Sequence, residues 1–244
     1  MARILFITGT DTGVGKTVLT SLLARHLRGV GLSVAALKPI CSGGRDDARA
    51  LLGALDGALS LDEINPWHFR ASLAPLLAAR REGRKVTRAM AVAHIRGLAR
   101  RFEIVLVEGA GGLLTPLGEK FDSRDLIVAL RATPIVVAPN RLGMLNQVRR
   151  VLAALPVAAA RCVQVVLVNP RRPDAASASN PRLLAEFVPG RRLYALPWLE
   201  PAQIEGTKSH DPLARKLIGR LARAFHCRSS ALDVRRSTAI LPLL

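Results

Sequence analysis

An α/β fold, a mainly parallel sheet with helices on both faces, is predicted by three features of this 244-residue chain. Short apolar runs alternate with stretches of helical period, the mark of βαβ units. The runs are continuously hydrophobic rather than alternating, as strands covered on both faces must be. Aromatic residues make up only 4% of a chain that is 50% hydrophobic, so the core has to come from Leu, Val, Ile and Ala.

The predicted strands, in chain order, are Arg3 to Thr8, Ser33 to Leu37, Glu103 to Val107, Pro134 to Ala138, Cys162 to Val168 and Arg192 to Leu196. Between and after them, Thr17 to Arg28, Asp47 to Leu55, Arg88 to Arg101, Leu142 to Leu155 and Pro212 to Phe225 read as helices. In the last of these Leu213, Leu217, Ile218 and Leu221 keep helical spacing, with Arg215, Lys216, Arg220 and Arg223 on the other side. Cys41 to Arg45 and Asn169 to Pro181 carry turn residues and are expected to be loops. There is no repeat and no low-complexity linker, so residues 1–244 are expected to form one domain, with 208–244 a basic C-terminal helix and possible tail.

Composition excludes several classes. The apolar fraction is too high for a disordered chain. Three cysteines, Cys41, Cys162 and Cys227, with no C-x-x-C spacing exclude a disulfide scaffold and predict a reducing cytoplasmic setting. The most apolar stretch, Val151 to Val168, is interrupted by Pro156, Arg161 and Gln164, so no membrane span is expected. The N-terminus lacks the long apolar region and cleavage site of a signal peptide. Basic residues number 36 against 18 acidic ones, a formal net charge of +18. Such a field attracts anions of every kind, nucleic acid included. The arginines are nevertheless scattered in singles and pairs, with no interleaved aromatics and no helix-turn-helix or zinc-finger spacing. Small anionic ligands are the expected partners, and nucleic acid is not.

The clearest chemical signal is Gly9-Thr10-Asp11-Thr12-Gly13-Val14-Gly15-Lys16-Thr17, placed after a strand and opening a helix. Phosphate needs backbone N–H groups at close range, and glycines remove the Cβ atoms that would block it. The helix start adds its partial positive charge. Lys16 would reach the outer phosphates and the Thr17 hydroxyl would ligate Mg²⁺, as in a P-loop NTPase. Thr10 stands where the usual motif has its first glycine, and Gly9 precedes it.

Two further segments end predicted strands. Lys38-Pro39-Ile40-Cys41-Ser42-Gly43 offers an ammonium where only six of the 36 basic residues are lysine. A lysine at a strand end is by itself usually a solvated charge; at the carboxyl edge of a parallel sheet, beside a phosphate loop, it is a candidate catalytic group. Val107-Glu108-Gly109-Ala110-Gly111-Gly112 brings one carboxylate to that edge, followed by glycines that let the chain turn close to a phosphate. The pair Asp46-Asp47 supplies another carboxylate. Thr17, Asp47 and Glu108 could therefore share a divalent ion.

These residues resemble the ATP-dependent dethiobiotin synthetases of biotin biosynthesis. The likeness runs to about residue 205. Besides the three segments above, it rests on Asp47-Ala48-x-Ala50-Leu51, Asn65-Pro66, Thr115-Pro116-Leu117, Leu142-Gly143 with Asn146, Asn169, and Leu196-Pro197-Trp198-Leu199. It implies a cyclo-ligase that uses ATP and Mg²⁺ to close 7,8-diaminononanoate and CO₂ (or bicarbonate) into dethiobiotin, through a carbamate and a carbamic–phosphoric anhydride. It also implies a homodimer with the diamine site near the subunit interface. By resemblance Lys38 and Lys16 are catalytic, and Thr12 and Ser42 contact the substrate. Gly13, Val14, Gly15, Lys16, Thr17 and Val18 hold phosphates, with Asp47, Glu108, Gly109, Ala110 and Gly111 beside them. Asn169 and Pro170, with Pro197, Trp198 and Leu199, flank adenine. Thr17, Asp47 and Glu108 are the implied metal ligands. The basic stretch Arg80 to Arg101 and the C-terminal segment have no catalytic counterpart.

Rival readings are a partitioning-type ATPase of the same P-loop branch and a basic nucleic-acid-binding ATPase. The former usually carries a second lysine early in the loop, where this chain has Thr10, Asp11 and Thr12. The latter draws only on the charge. His26, His68, His94, His210 and His226 show no metal-ligand spacing.

Overall fold

The computed structural model of the protein describes residues 2–188, 192–200 and 212–226. Its strands are β1 (Arg3–Gly9), β2 (Val34–Leu37), β3 (Ile40–Ser42), β4 (Trp67–Phe69), β5 (Ile104–Gly112), β6 (Thr133–Pro139), β7 (Gln164–Val168) and β8 (Leu193–Leu196). The helices are α1 (Lys16–Gly29), α2 (Asp46–Ala54), α3 (Leu61–Ile64), α4 (Pro75–Arg81), α5 (Arg88–Leu98), α6 (Ser123–Leu130), α7 (Met144–Ala154), α8 (Val157–Ala160), α9 (Ala175–Leu184) and α10 (Pro212–His226).

Six strands form one sheet in the order β2-β5-β1-β6-β7-β8, and every pairing in it is parallel. Successive residues Leu5, Phe6 and Ile7 in β1, and Val105, Leu106 and Val107 in β5, are fully buried. Helices therefore cover both faces, the reason these strands read as unbroken apolar runs. At β7 the two faces separate: Val166 joins the main core, whereas Val165 and Leu167 pack with Met144, Val148 and Leu184 in a second cluster under α7 and α9. Parallel strands all end on one edge, and the chain order reverses at β1, flanked by β5 on one side and β6 on the other. The loop after β1 sits at that reversal, where ligands of open α/β sheets bind.

The structure corrects two expectations. The segment Asn169 to Pro181 is not all loop, because α9 begins inside it. Asp174 caps that helix through a reciprocal capping box with Ser177, and Pro181 lies within it. The local cap outweighs the turn-rich composition. Cys41 to Arg45 is not all loop either, since Ile40–Ser42 pairs in parallel with Trp67–Phe69 as a small second sheet. A three-residue strand whose partner lies far along the chain leaves no periodic signal. Helices α3 and α6 also open with capping boxes, Ser60 with Glu63 and Asp122 with Asp125.

The expected C-terminal helix is present, burying Ala214, Leu217, Ile218, Leu221 and Ala222 against α1 and β8. The expected tail, Cys227 and His210 lie outside the described residues. Among the described residues no helix is long and apolar enough to cross a membrane.

Candidate active site

Sheet register builds the centre of the site. Leu37 pairs with Val107 and Ile7 with Glu108, so Lys38, one residue past β2, arrives beside Glu108 at the foot of the β1 loop. The Lys38 ammonium donates to Glu108 Oε1 and to Asp47 Oδ2, each at 2.7 Å. From the first turn of α1, the Thr17 hydroxyl lies 2.8 Å from Asp47 Oδ1 and 2.8 Å from Glu108 Oε1. Glu108 and Lys38 are only 1% and 3% exposed, whereas Asp47 at the start of α2 opens to solvent. Of the pair Asp46-Asp47, it is Asp47 that meets Lys38 and Thr17, while Asp46 pairs outward with Arg49.

Burial alone would drive the Lys38 ammonium toward neutrality. The facing charges and hydrogen bonds of Glu108 and Asp47 outweigh it and hold Lys38 above the usual lysine range. Asp47 is likewise opposed by burial, yet Lys38 and Thr17 hold it below the usual carboxylate range. Lys16 behaves differently. It is 5% exposed, donates to the Asp11 carbonyl at 2.7 Å, and is lowered to about 8 by burial first and then by the Lys38 charge.

The loop itself is built for anions. Gly15 is the N-cap of α1 with φ 95°, and no side chain caps the helix, so its first-turn N–H groups face the loop's mouth. A Cβ on Gly9 would lie 2.8 Å from Val14 Cγ2 and 3.2 Å from Lys16 Nζ. Gly9, one position ahead of the usual motif glycine, therefore makes room for the lysine. Val14 is buried and Val18 half-buried, while Asp11, Thr12 and Gly13 stand exposed at the tip.

The β5 glycines run alongside: a Cβ on Gly112 would meet the Thr10 and Gly9 carbonyls at 3.4 and 3.5 Å. Gly109 fits against Ser123 and Phe6, and the Gly109 carbonyl accepts from Lys38 at 3.3 Å. Half-buried Ala110 and Gly111 continue that edge. Ser42 lies nearby with its hydroxyl already donating to the Leu73 carbonyl.

The donor set fits Mg²⁺, which takes one or two carboxylates and a hydroxyl together with substrate phosphates. Glu108 Oε2 supports the fit, since it is buried and has no hydrogen-bond partner in the protein. Among the described residues no group of three or more His, Cys, Asp and Glu could form an all-protein cage.

Farther along the same edge, the Val168 side chain touches Gly15, with Cγ2 3.0 Å from where its Cβ would be. Asn169 therefore stands next to the phosphate loop, with Pro170 half-buried after it. Its backbone N–H donates to Leu196, which brings the Pro197 to Leu199 segment alongside. Trp198 is 47% exposed there, while the Leu199 side chain turns into the main core.

Three groups in this architecture escaped sequence reasoning as site residues. Asn65 donates to the Lys38 carbonyl at 2.7 Å and accepts from Arg45, so it pins the exit from β2. Asn140 and Asn180, both buried, hydrogen-bond to each other next to Asn169. The β6 end offered a signal only for Asn140, and only once β6 is known to neighbour β7.

Fold and site together define a P-loop ATPase. Residues 3–205 match a family model described as an AAA domain. The ATP-dependent dethiobiotin synthetase BioD of Anaeromyxobacter sp. (strain Fw109-5) is 42% identical over 217 residues, 87% of this chain and 89% of its own length. That of Akkermansia muciniphila is 34% identical over 76% of this chain and 87% of its own. The chain belongs to the ATP-dependent dethiobiotin synthetase family, ATP-dependent ligases of biotin biosynthesis. A ParA family ATPase from Chlorobium tepidum TLS shares the fold, at TM-score 0.58 and 14% identity over 93% of this chain and all of its own. So does the MinD cell division protein of Aquifex aeolicus, at 0.55 and 14% over 92% and 98%.

Proposed function

We propose that this synthetase acts on 7,8-diaminononanoate, carboxylating one amine and closing the ring to dethiobiotin with release of ADP and phosphate. The observation that carries the reading is the convergence of Lys38, Thr17, Asp47 and Glu108 within hydrogen-bond distance at the mouth of the Gly15-Lys16 loop. In the sequence implied by the family likeness, a carbamate oxygen attacks the γ-phosphorus of ATP, ADP leaves, and the second amine displaces phosphate from the anhydride carbon.

Lys16 and the first-turn N–H groups of α1 hold the phosphates. Lys38 places a permanent positive charge where carbamate and transferring phosphoryl oxygens meet. In the free protein Glu108 and Asp47 hold Lys38 above the usual lysine range against the effect of burial, so it meets the anionic oxygens as a charged hydrogen-bond donor. Thr17, Asp47 and Glu108 would hold Mg²⁺, which when bound neutralises phosphate charge. Asn169, Pro170 and the Pro197 to Leu199 segment flank the adenine. Thr12 at the loop tip and Ser42 contact the diamine.

Leu114 and Leu142 are 52% and 85% exposed and follow β5 and β6, so they offer apolar surface for a homodimer beside the diamine site. The reaction belongs to the cytoplasm, where its ATP and bicarbonate are found. Incubating the protein with diaminononanoate, bicarbonate and Mg·ATP should yield a ureido product by mass spectrometry. Accumulation of ADP without that product would reject the substrate while leaving the ATPase intact, and light scattering checks the dimer.

A further inference from the structure

Asn169 is held by a relay of buried amides whose orientation can be read without ambiguity. Two backbone carbonyls, which can only accept, anchor it. Asn180 Nδ2 donates to the Arg141 carbonyl at 3.0 Å, and Asn140 Nδ2 donates to the Ser177 carbonyl at 2.8 Å. The two amides also agree with each other, Asn180 Nδ2 donating to Asn140 Oδ1 at 3.1 Å. With both anchored, Asn140 Nδ2 presents its remaining hydrogen to Asn169 Oδ1 at 2.9 Å. Asn140 is 2% exposed and Asn180 6%, so water cannot substitute for either partner.

From this geometry we infer that Asn140, oriented by Asn180, is the residue that sets which purine the nucleotide site accepts; the inference rests on the reading of Asn169 as the base contact. An adenine edge offers a 6-amino donor beside a ring-nitrogen acceptor. An amide meets it with its oxygen toward the amine and its nitrogen toward the ring. A 6-oxo purine such as guanine or hypoxanthine puts an acceptor at that place, and beside it N1 carries a hydrogen. To meet it the Asn169 amide must reverse. Reversal would press Asn169 Nδ2 against Asn140 Nδ2, two donors with nothing between them, and Asn140, 2% exposed, would lose the acceptor for its remaining hydrogen. The oxygen of Asn169 retains a second lone pair for the adenine amine, so the lock does not consume the group it orients. Asn140 touches no reacting atom. It is a positioning residue, and its signature is a ratio rather than a rate.

The test measures kcat/KM for dethiobiotin formation with ATP and with ITP in the native chain and in Asn140→Asp, Asn140→Ala and Asn169→Ala, with thermal unfolding of each. Asn140→Asp keeps the shape but turns the last donor into an acceptor; Asn140→Ala removes the group without adding a charge. The expected result is a fall in the ATP-to-ITP ratio of roughly tenfold or more in the folded Asn140 variants, the order carried by a well-made bidentate base contact. A residue with a merely structural role would lower both nucleotides alike and leave the ratio in place. An unchanged ratio in both Asn140 variants alongside a collapsed ratio in Asn169→Ala overturns the relay and leaves Asn169 as the base contact. An unchanged ratio in Asn169→Ala as well overturns the base contact itself, and the relay with it. If Asn140→Asp does not fold, Asn140→Ala alone decides between these outcomes.

Discussion

The Lys38 ammonium lies 2.7 Å from Glu108 Oε1 with both side chains buried. Buried ion pairs do not stabilise strongly as pairs, but removing one member strands the other. Lys38→Met should therefore lower stability by roughly 3–5 kcal/mol, because Glu108 remains as an uncompensated buried carboxylate. The double variant Lys38→Met/Glu108→Gln should regain most of that loss in chemical denaturation. Turnover should remain down on the order of 10²-fold or more in both, since loss of a preorganised charge at the reacting oxygens is not repaired by refilling the space. A double variant as unstable as the single one would contradict the pairing.

Lys16 predicts a pH effect of definite sign. Its ammonium is held at about 8 in the free protein, and phosphate oxygens favour the charged form. Nucleotide affinity is then complete below pH 8 and falls as pH rises through it, with proton uptake on binding above that value. Calorimetry of ATP binding in buffers of different ionisation enthalpy reads both. The same burial acts on stability. The charged ammonium is disfavoured in the fold below pH 8, and that penalty is relieved as pH climbs from 8 toward the ordinary value of 10.5.

At the scale of elements, the join between the β1 loop and α1 is where substitutions are expected to change nucleotide binding most. Gly13 and Gly15 both have positive φ, 70° and 95°, so alanine is strained at either, by about 1–2 kcal/mol. They differ in surroundings. Nothing lies near a Cβ on Gly13, whereas one on Gly15 meets Val168 at 3.0 Å, beside Asn169. Gly15→Ala should thus raise the Kd for ATP far more than Gly13→Ala does, measured by titration; equal effects would mean that only backbone strain matters.

Sequence patterns announced β1, β5, β6 and α1 because their signals are local: unbroken apolar runs, and a loop of fixed spacing. They did not announce β3, β4 or α9. Strands of three residues owe their pairing to a distant partner, and α9 keeps its helix by a cap at Asp174 despite a proline inside it.

For the molecule as a whole, α10 closes the layer that contains α1. It lies beyond the 3–205 span of the matched family, yet Leu217, Ile218 and Leu221 bury their side chains on α1 and β8. Ending the chain at residue 200 should uncover that apolar surface and lower Tm by about 5 °C or more, while the phosphate loop remains intact. An unchanged Tm in differential scanning calorimetry would show that the helix only rests on the surface.

Which residue types could carry the chemistry was already legible in one dimension, because glycines before Lys16-Thr17, a scarce lysine at Lys38 and a carboxylate in an apolar run at Glu108 are each local statements about short stretches of chain. That Asp47 and not Asp46 meets Lys38 and Thr17, that Lys38 lies between two carboxylates while Lys16 donates to the Asp11 carbonyl, and that Asn140, held by Asn180, donates to Asn169 came only with folding. Those facts depend on parallel register, helix rotation and burial, which set distances and local dielectric between residues that are far apart along the chain.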